Sequence, residues 1–345
     1  MKICVYGAGA IGGYVAVELA QVPGIEVSVI ARGTQLAAIH EKGLTLRIDG
    51  AERHAHVTAT DKPADLGPQD VVIVALKAHQ AWEVAEQMTP LLGSHTSVVT
   101  CQNGVPWWYF YGLKGPFENL QLNAVDQDNR QWDVIGPERA IGCVVYPATD
   151  IVEPGVIVHK YGNKFSIGEP TGENSTRCHL LAEAMEAGGL KAPVLPNIRD
   201  EIWLKLWGNL CFNPISALTR ATLDIVATDP ATRALSAAMM QEGYEIATRI
   251  GASFRVDMER RINGAAKVGA HRTSMLQDLE KGRAMEIDAL LTAVQEIGRL
   301  VDVETPHIDT VLGLVQQLGR SKGLYPTFPE LEKVAEETGK AVAVA

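Results

Sequence analysis

The sequence predicts an α/β protein in which a doubly wound, mainly parallel sheet is followed by an all-α domain. Three observations support this prediction. The chain starts with an apolar strand and a glycine-rich turn, strand and helix patterns then alternate up to about residue 190, and the later patterns are helical. Alternating strands and helices are typical of parallel sheets with right-handed crossovers. A chain of 345 residues is also long enough for two domains.

The first element is a strand over residues 2–6 that runs directly into a GxGxxG motif. In this strand–turn–helix context the motif is typical of a Rossmann-type dinucleotide-binding domain. The first glycine allows the tight turn, the second lets the backbone approach a pyrophosphate, and the third lets the helix pack on the strand. The helix N-terminus would receive the diphosphate. The motif residues expected to bind a dinucleotide are Gly7, Ala8, Gly9, Ala10, Ile11 and Gly12.

The end of the second predicted strand, residues 26–31, indicates which dinucleotide is bound. The residue that follows is Arg32. An acidic side chain there would hold the ribose 2′-hydroxyl of NAD, whereas an arginine suits the 2′-phosphate of NADP. The alternative is an arginine that only points into water. The sequence favours NADPH/NADP as the cofactor.

The other predicted strands of the first half are short apolar runs. The run VVIVAL at residues 71–76 contains no polar residue, as expected for a strand buried on both faces of a parallel sheet. Gly162-Asn163 predicts a hairpin between the last two strands. Strands are predicted over residues 71–76, 97–101, 141–146, 156–159 and 165–167, and a helix is predicted over residues 81–92.

The helical part of the chain begins near Pro196, with long segments predicted over residues 230–250 and 274–301. Inside the part before Pro196, residues 105–139 form an aromatic-rich insertion. We therefore predict three parts: an NADP-binding Rossmann-type domain (1–196), a helical substrate and catalytic domain (197–320) and a loosely attached C-terminal extension (321–345).

Composition and charge exclude several classes of protein. The net charge is −10, with acidic and basic residues mixed along the chain, which argues against general nucleic-acid binding. The five cysteines have neither disulfide nor zinc spacing, which indicates buried thiols in a reducing compartment. The apolar N-terminus reaches Glu18 before it could span a bilayer. We expect a cytoplasmic protein with no metal, no nucleic-acid partner and no membrane segment.

Residues 201–214 predict a helix that is apolar on nearly all sides. Its polar exceptions Lys205, Asn209 and Asn213 are spaced by four residues and therefore share one face. A lysine on a buried helix is rare unless it has a partner or a function. The alternative is a lysine that reaches the surface beside two asparagines bonded to backbone. Pro214 predicts a kink or an end of the helix.

A second polar cluster begins at Ser274. With Gln277 three residues later, Ser274 forms a capping-box pattern and predicts a helix start. Such a start is also able to receive a carboxylate, although a simple cap is the favoured interpretation of these residues alone. Glu286 lies in a region of mixed charge, where a solvated face is the ordinary expectation.

Taken in order, these motifs resemble the ketopantoate reductases (2-dehydropantoate 2-reductases). The resemblance extends from Met1 to about Leu318, and the set is far more specific than the glycine turn alone. The motifs are GAGAIG, Arg32 after the second strand, Val74-Ala75-Leu76-Lys77-Ala78, Gln102-Asn103-Gly104, the Lys205/Asn209/Asn213-Pro214 helix, Ser274-Met275-Leu276-Gln277-Asp278 and Glu286-Ile287-Asp288.

The resemblance implies further roles for single residues. On the cofactor side, Lys77 is similar to the lysine at the adenosine end of NADPH, Asn103 to the residue where nicotinamide and substrate meet, and Ala148 to a further cofactor contact. Lys205 is similar to the catalytic proton donor, and Glu286 to the acidic residue near that lysine and the nicotinamide. The residues implied to bind the 2-oxo acid substrate are Asn103, Lys205, Asn209, Asn213 and Ser274.

The chemistry of ketone reduction agrees with these implied roles. A hydride must reach the carbon and a proton the oxygen, and a lysine ammonium is able to polarise and protonate that oxygen. The implied activity is the NADPH-dependent reduction of 2-dehydropantoate to (R)-pantoate, a step toward pantothenate and coenzyme A. Two alternatives stay open. One is a paralogous reductase or D-2-hydroxyacid dehydrogenase for another bulky 2-oxo acid, and the other is a non-catalytic NADPH-binding sensor.

The insertion at residues 105–139 departs from the family pattern. It opens with five consecutive aromatic residues at 107–111. These aromatics would line or cover the substrate pocket, or they would cover a hydrophobic edge or form a subunit contact. The residues favour neither interpretation, and a homodimer is therefore left open.

Overall fold

The computed structural model of the protein describes residues 1–327. Two compact units are present: unit 1 is Met1–Ile202, and unit 2 begins at Trp203. The predicted domain limits at residues 196 and 320 stay predictions. Most of the predicted C-terminal extension, residues 328–345, lies outside the described residues.

Unit 1 contains two sheets. The strands are β1 (Lys2–Tyr6), β2 (Glu26–Ile30), β3 (Leu44–Ile48), β4 (Ala51–Ala55), β5 (Thr58–Thr60), β6 (Gln69–Val74), β7 (Leu92–Thr100), β8 (Ala140–Val145), β9 (Ala148–Glu153), β10 (Val156–Tyr161) and β11 (Phe165–Gly168). The larger sheet has the order β11-β8-β7-β6-β1-β2-β5, and all its pairs are parallel except β8–β11. The part of this sheet with the order β5-β2-β1-β6-β7-β8 reads 3-2-1-4-5-6 when only the strands of this sheet are numbered along the chain. This is the strand order of dinucleotide-binding sheets, which confirms the predicted fold class.

The smaller sheet, with the order β4-β3-β10-β9, corrects one prediction. β10 pairs with β3 and β9, whereas β11 pairs with β8 in the larger sheet. The predicted hairpin at Gly162-Asn163 is therefore wrong. The turn is present, with Gly162 at φ 75°, but it carries the chain from one sheet to the other.

The helices of unit 1 are α1 (Ala10–Leu19), α2 (Gly33–Lys42), α3 (Ala78–Ala81), α4 (Arg130–Ile135) and α5 (Thr176–Ala187). α1 is buried on all sides from Gly12 to Leu19, and it packs on both sheets. A Cβ atom added to Gly13 would fall 2.7 Å from Ile157 Cδ1 of β10. The helix predicted over residues 81–92 is wrong, because two 3₁₀ segments follow α3 there and Pro90 cannot donate to a longer α-helix.

The aromatic insertion belongs to the core of unit 1. Trp107, Trp108, Tyr109 and Phe110 are each at most 2% exposed. Trp108 Nε1 donates to Thr100 Oγ1 at 2.9 Å, which ties the insertion to the end of β7. The aromatic residues 107–111 were expected either to line the substrate pocket or to cover a hydrophobic edge or form a subunit contact. Their burial within unit 1 supports the cover for a hydrophobic edge.

Unit 2 is helical throughout its described part. α6 (Ile198–Thr219) begins in the last residues of unit 1, and the helices after it are α7 (Leu223–Thr228), α8 (Pro230–Arg249), α9 (Met258–Lys267), α10 (Ser274–Glu280), a π-helical turn (Asp288–Thr292), α11 (Ala293–Leu300) and α12 (Pro306–Ser321). The helix predicted over residues 274–301 is interrupted at 281–286.

α6 also continues past Pro214, where an end or a kink was expected, and it ends only at Thr219. The backbone nitrogen of Pro214 cannot donate a hydrogen bond within the helix. Phe212, Asn213 and Ile215 around it are all buried, and this packing stabilises the helix despite the missing bond. After α12, Tyr325 Oη donates to Asp288 Oδ1 at 2.6 Å, so the first residues of the extension are bound to unit 2. No helix within residues 1–327 has the length and apolar composition that a membrane crossing needs.

Candidate active site

A cavity of about 240 Å³ lies at the carboxyl ends of the parallel strands of unit 1. It is placed where the strand order reverses between β1 and β6, which is the usual ligand position in doubly wound sheets. We call it the glycine-turn cavity. It is lined by Tyr6, Gly7, Ala8, Gly9, Ile30, Arg32, Gln35, Asp61, Leu76, Val84, Gln87 and Ile151.

The glycine turn has the geometry that a dinucleotide needs. Gly7 has φ 105°, and the N–H groups of Gly7 and Ala8 donate to the carbonyl of Ile30 at 3.0 and 3.2 Å. A Cβ atom added to Gly12 would overlap the carbonyl oxygen of Gly7, whereas one added to Gly9 would meet no atom within 4 Å. The first and third glycines therefore allow the turn and its packing, and the second leaves space beside the helix N-terminus.

Arg32 and Asp61 place opposite charges in the wall of this cavity. Both side chains are exposed, and neither forms an ion pair within the described part of the chain. Gln35 connects the glycine turn to the smaller sheet: its Nε2 donates to Ala8 O at 2.8 Å, and its Oε1 accepts from Gly155 N at 3.0 Å. Sequence reasoning identified Arg32 but not Asp61 or Gln35, because single polar residues outside a motif give no signal.

The other expected cofactor residues of unit 1 do not line the cavity. Lys77 is half-buried directly after the lining residue Leu76. Gln102 Nε2 donates to Leu76 O at 3.1 Å, so the loop that carries Asn103 is joined to the end of β6. The expected residues outside the lining are Ala10, Ile11, Gly12, Lys77, Asn103 and Ala148.

In unit 2, the polar face of α6 carries Lys205, Asn209 and Asn213, which we call the α6 row. Lys205 and Asn209 are half-buried, and Asn213 is 5% exposed. The helix is fixed from its apolar side, where Trp207 is buried and its Nε1 donates to Met240 O at 2.6 Å. A helix that is buried on its other sides therefore presents one cation and two amides in a line.

Ser274 meets this row at its far end. Asn213 Nδ2 donates to Ser274 Oγ at 3.4 Å. The predicted helix start at Ser274 is confirmed, but the interpretation of Ser274 as its cap is wrong, because Thr273 occupies the cap and its Oγ1 accepts from Leu276 N at 3.3 Å. Ser274 is the first helical residue, and its exposed hydroxyl is not used by the cap.

Glu286 lies just before the π-helical turn and is 9% exposed, so the expected solvated face is wrong. Unit 2 thus brings two groups of the predicted site, the α6 row and the hydroxyl of Ser274, into contact, and it carries the buried Glu286 elsewhere in its sequence. An ammonium beside amides and a hydroxyl suits proton transfer to a polar substrate. Within residues 1–327, no group of histidine, cysteine, aspartate or glutamate side chains is placed to hold a metal ion.

Comparison with known proteins agrees with both parts of the chain. The family model for ketopantoate reductase PanE/ApbA matches residues 3–172, and the model for the C-terminal part of the same reductase matches residues 197–319. A 2-dehydropantoate 2-reductase from Mesorhizobium japonicum is 56% identical over 94% of this chain and 100% of its own length.

Solved structures show the same similarity. A presumed ketopantoate reductase from Ralstonia solanacearum superposes with a TM-score of 0.90 at 43% identity, covering 94% of this chain and 99% of its own. A D-mandelate dehydrogenase with NADH and anilino(oxo)acetate has a TM-score of 0.79 at 20% identity, covering 94% of this chain and 100% of its own. At this identity the similarity is evidence for the fold alone. The glycine turn, the α6 row and these matches over nearly the whole length lead to one conclusion: the chain belongs to the ketopantoate reductase family.

Proposed function

We propose that this chain is an NADPH-dependent 2-dehydropantoate 2-reductase, which forms (R)-pantoate for the synthesis of pantothenate and coenzyme A. The observation that carries the proposal is the α6 row, whose Asn213 contacts Ser274 at 3.4 Å, in a chain of this family. The name of the Mesorhizobium relative describes the same activity and supports the proposal.

The glycine-turn cavity supports the choice of cofactor. Its turn leaves room for a diphosphate at Gly9, and Arg32 offers a guanidinium for the 2′-phosphate of NADP. When bound, NADPH supplies the hydride for the ketone carbon. We assign further cofactor contacts to Lys77, Asn103 and Ala148, as the family resemblance implies.

Lys205 is the proposed proton donor. Its ammonium group polarises the ketone oxygen and transfers a proton to it as negative charge develops there. Asn103, Asn209, Asn213 and Ser274 are assigned to the substrate, because amides and hydroxyls donate and accept hydrogen bonds without adding charge. We assign Glu286 to the orientation of the catalytic ammonium and to the nicotinamide side of the site.

The rate of NADPH oxidation with 2-dehydropantoate tests the proposal, beside 2-oxoisovalerate, 2-oxo-4-methylpentanoate and phenylpyruvate. We expect 2-dehydropantoate to have the highest kcat/KM of the four acids. A preference for phenylpyruvate would instead identify a paralogue for bulky 2-oxo acids. NADPH binding without turnover of any acid would contradict the proposal and support a sensor.

A further inference from the structure

Cys101 and Cys143 of unit 1 place two thiols in contact. The Cys101 thiol donates to Cys143 Sγ at 3.6 Å, although the two residues are 42 positions apart in the sequence. β7 and β8 pair in parallel with Thr100 opposite Gly142, and the two cysteines continue this register by one residue. Adjacent strands are about 4.8 Å apart, which is within the Cα–Cα range of about 4.4–6.8 Å that a disulfide needs. The backbone therefore has a spacing that a disulfide is able to bridge.

The other cysteines are less accessible than this pair. Burial raises the pKa of each of the other three thiols to about 12, and each residue is 0% exposed: Cys4, Cys178 and Cys211. Cys101 is 7% exposed and Cys143 is 5% exposed. Oxidation of a thiol depends on access and on thiolate formation, and burial in apolar surroundings opposes both. We therefore expect a small oxidant to react with the pair before it reacts with the other thiols.

The backbone holds the two cysteines unequally. Cys143 lies inside β8, which pairs with β7 on one side and places Ile167 of β11 opposite Cys143 on the other. Cys101 lies one residue past the end of β7, where its N–H donates to Val74 O at 2.9 Å. A covalent bond requires the two sulfur atoms to approach from their present 3.6 Å, so one side of the pair must move. We expect the movement at Cys101 and in the residues that follow it.

Asn103, assigned above to the cofactor and the substrate, is two residues beyond Cys101. We propose that Cys101 and Cys143 are a redox modification site, at which a peroxide joins the two thiols in a reversible disulfide that displaces Asn103. Transient disulfides of this kind are typical of redox-sensing proteins. Formation of the disulfide is independent of the function proposed above, whereas its effect on turnover rests on that function.

One molecule of hydrogen peroxide is the oxidant for one disulfide. A thiolate of the pair attacks a peroxide oxygen, the O–O bond breaks, and a sulfenic acid forms as hydroxide leaves. The sulfur of the second cysteine then attacks the sulfenic sulfur, the S–O bond breaks, and the second oxygen leaves as water. The two thiols lose two electrons and two protons in total, and the peroxide becomes two molecules of water. Dithiothreitol reverses the modification by thiol–disulfide exchange.

Tryptic mapping of the folded wild-type protein after treatment with hydrogen peroxide tests the proposal. Trypsin cuts after lysine and arginine, so Cys101 lies in the peptide 78–114 and Cys143 in the peptide 140–160, each with a single cysteine. Catalase removes the peroxide, and iodoacetamide in urea then blocks the free thiols before digestion. We expect these two peptides to be linked, and dithiothreitol should separate them. Absence of the linked pair, or linkage spread evenly over all five cysteines, would overturn the proposal.

Kinetics of the oxidised protein test the displacement of Asn103. The disulfide should lower kcat for 2-dehydropantoate about 10- to 100-fold, the effect of moving a positioning group by about 1 Å, and dithiothreitol should restore the rate. Cys101→Ala and Cys143→Ala should each abolish both the linked peptides and the sensitivity to peroxide. Cys4→Ala removes a buried thiol outside the pair and is the matched control, which should respond to peroxide as wild type does.

Two readouts need no turnover, so they separate failure of this inference from failure of the proposed function. The linked peptides would establish the disulfide even if wild type turned over no 2-oxo acid, and their absence would overturn the inference while leaving a reductase intact. The NADPH dissociation constant should rise about 3- to 10-fold in the linked protein, the value of one hydrogen bond. If that constant and kcat both stayed unchanged in fully linked protein, the displacement of Asn103 would be wrong.

Discussion

The glycine-turn cavity of unit 1 and the α6 row of unit 2 are made of different atoms. The cavity wall at Gly7 and Ala8 is backbone, held by the carbonyl of Ile30. The α6 row is made of side chains, which are fixed because the other faces of the helix are buried. A site built from backbone atoms loses binding or stability when a side chain is added to it, whereas a site built from side chains loses its function when one of them is removed. The two regions should therefore respond to opposite kinds of substitution.

The largest effect is expected at the α6 row. Lys205→Ala should lower kcat for 2-dehydropantoate about 1,000-fold, because it removes both the proton donor and the charge that polarises the ketone. NADPH binding, measured by fluorescence titration, should stay at its wild-type value. Lys267→Ala, at an exposed position of α9, is the matched control. If Lys205→Ala retained more than about a tenth of wild-type kcat, the proton-donor assignment would be wrong.

The glycine turn should show the opposite sensitivity, to an added methyl group. Gly12→Ala forces a Cβ atom into the carbonyl of Gly7 and should lower the free energy of unfolding by about 3 kcal/mol. Gly9→Ala meets no atom within 4 Å, so it should change stability by less than about 1 kcal/mol and weaken NADPH binding instead. Urea unfolding and NADPH titration measure the two effects, and equal destabilisation by both variants would contradict this division.

Substitution of Arg32 tests whether one side chain determines the preference for NADPH over NADH in a cavity whose wall is partly backbone. Arg32→Ser should weaken NADPH binding about 10- to 100-fold, the value of a charge-assisted pair, and leave NADH binding nearly unchanged. NADH thus serves as the control within the same variant. Parallel losses for both cofactors would show that Arg32 does not bind the 2′-phosphate.

The smallest effect is expected at an ion pair outside both sites. Glu169 of unit 1 is 4% exposed, and Arg177 Nη2 donates to its Oε2 at 2.6 Å. Burial raises the pKa of this carboxyl, but the hydrogen bonds from Arg177 and Ser175 outweigh it and hold the pKa below its ordinary value of 4.5. A carboxyl group whose pKa is lower in the folded than in the unfolded state stabilises the fold fully at pH values above its ordinary pKa. This stabilisation is lost as the pH falls through the lowered pKa of the folded state.

Glu169→Gln should therefore reduce the free energy of unfolding at pH 7 by about 1–2 kcal/mol, a modest value because Arg177 is partly exposed. Wild type should lose stability below about pH 4.5 more steeply than the variant does. Urea midpoints measured at pH 7, 5 and 4 compare the two proteins. Identical pH profiles would show that the pair adds no acid sensitivity.

Much of the larger sheet was predictable because its central strands are continuous apolar runs, as at Val71–Val74 in β6. The smaller sheet was not predictable from local patterns. Its strand β4, AERHA, is almost entirely exposed, and β10 pairs in parallel with β3 across more than 100 residues of chain. Such pairing depends on the buried surface of α1, to which no local pattern points.

The candidate site divides in the same way. The spacing of Lys205, Asn209 and Asn213 predicted a shared helix face, because helical periodicity acts over short distances. The contact of Asn213 with Ser274 joins residues 61 positions apart and followed only from the family resemblance.

α1 has a consequence for hydrogen exchange. Its middle residues are enclosed between two sheets, so their amides should exchange only when unit 1 opens as a whole. The amides of the first turn have no acceptor within the helix, and they should exchange quickly until a bound phosphate covers them. One short helix thus reports two quantities in a single exchange experiment: its middle measures the opening of unit 1, and its first turn measures occupancy of the glycine-turn cavity.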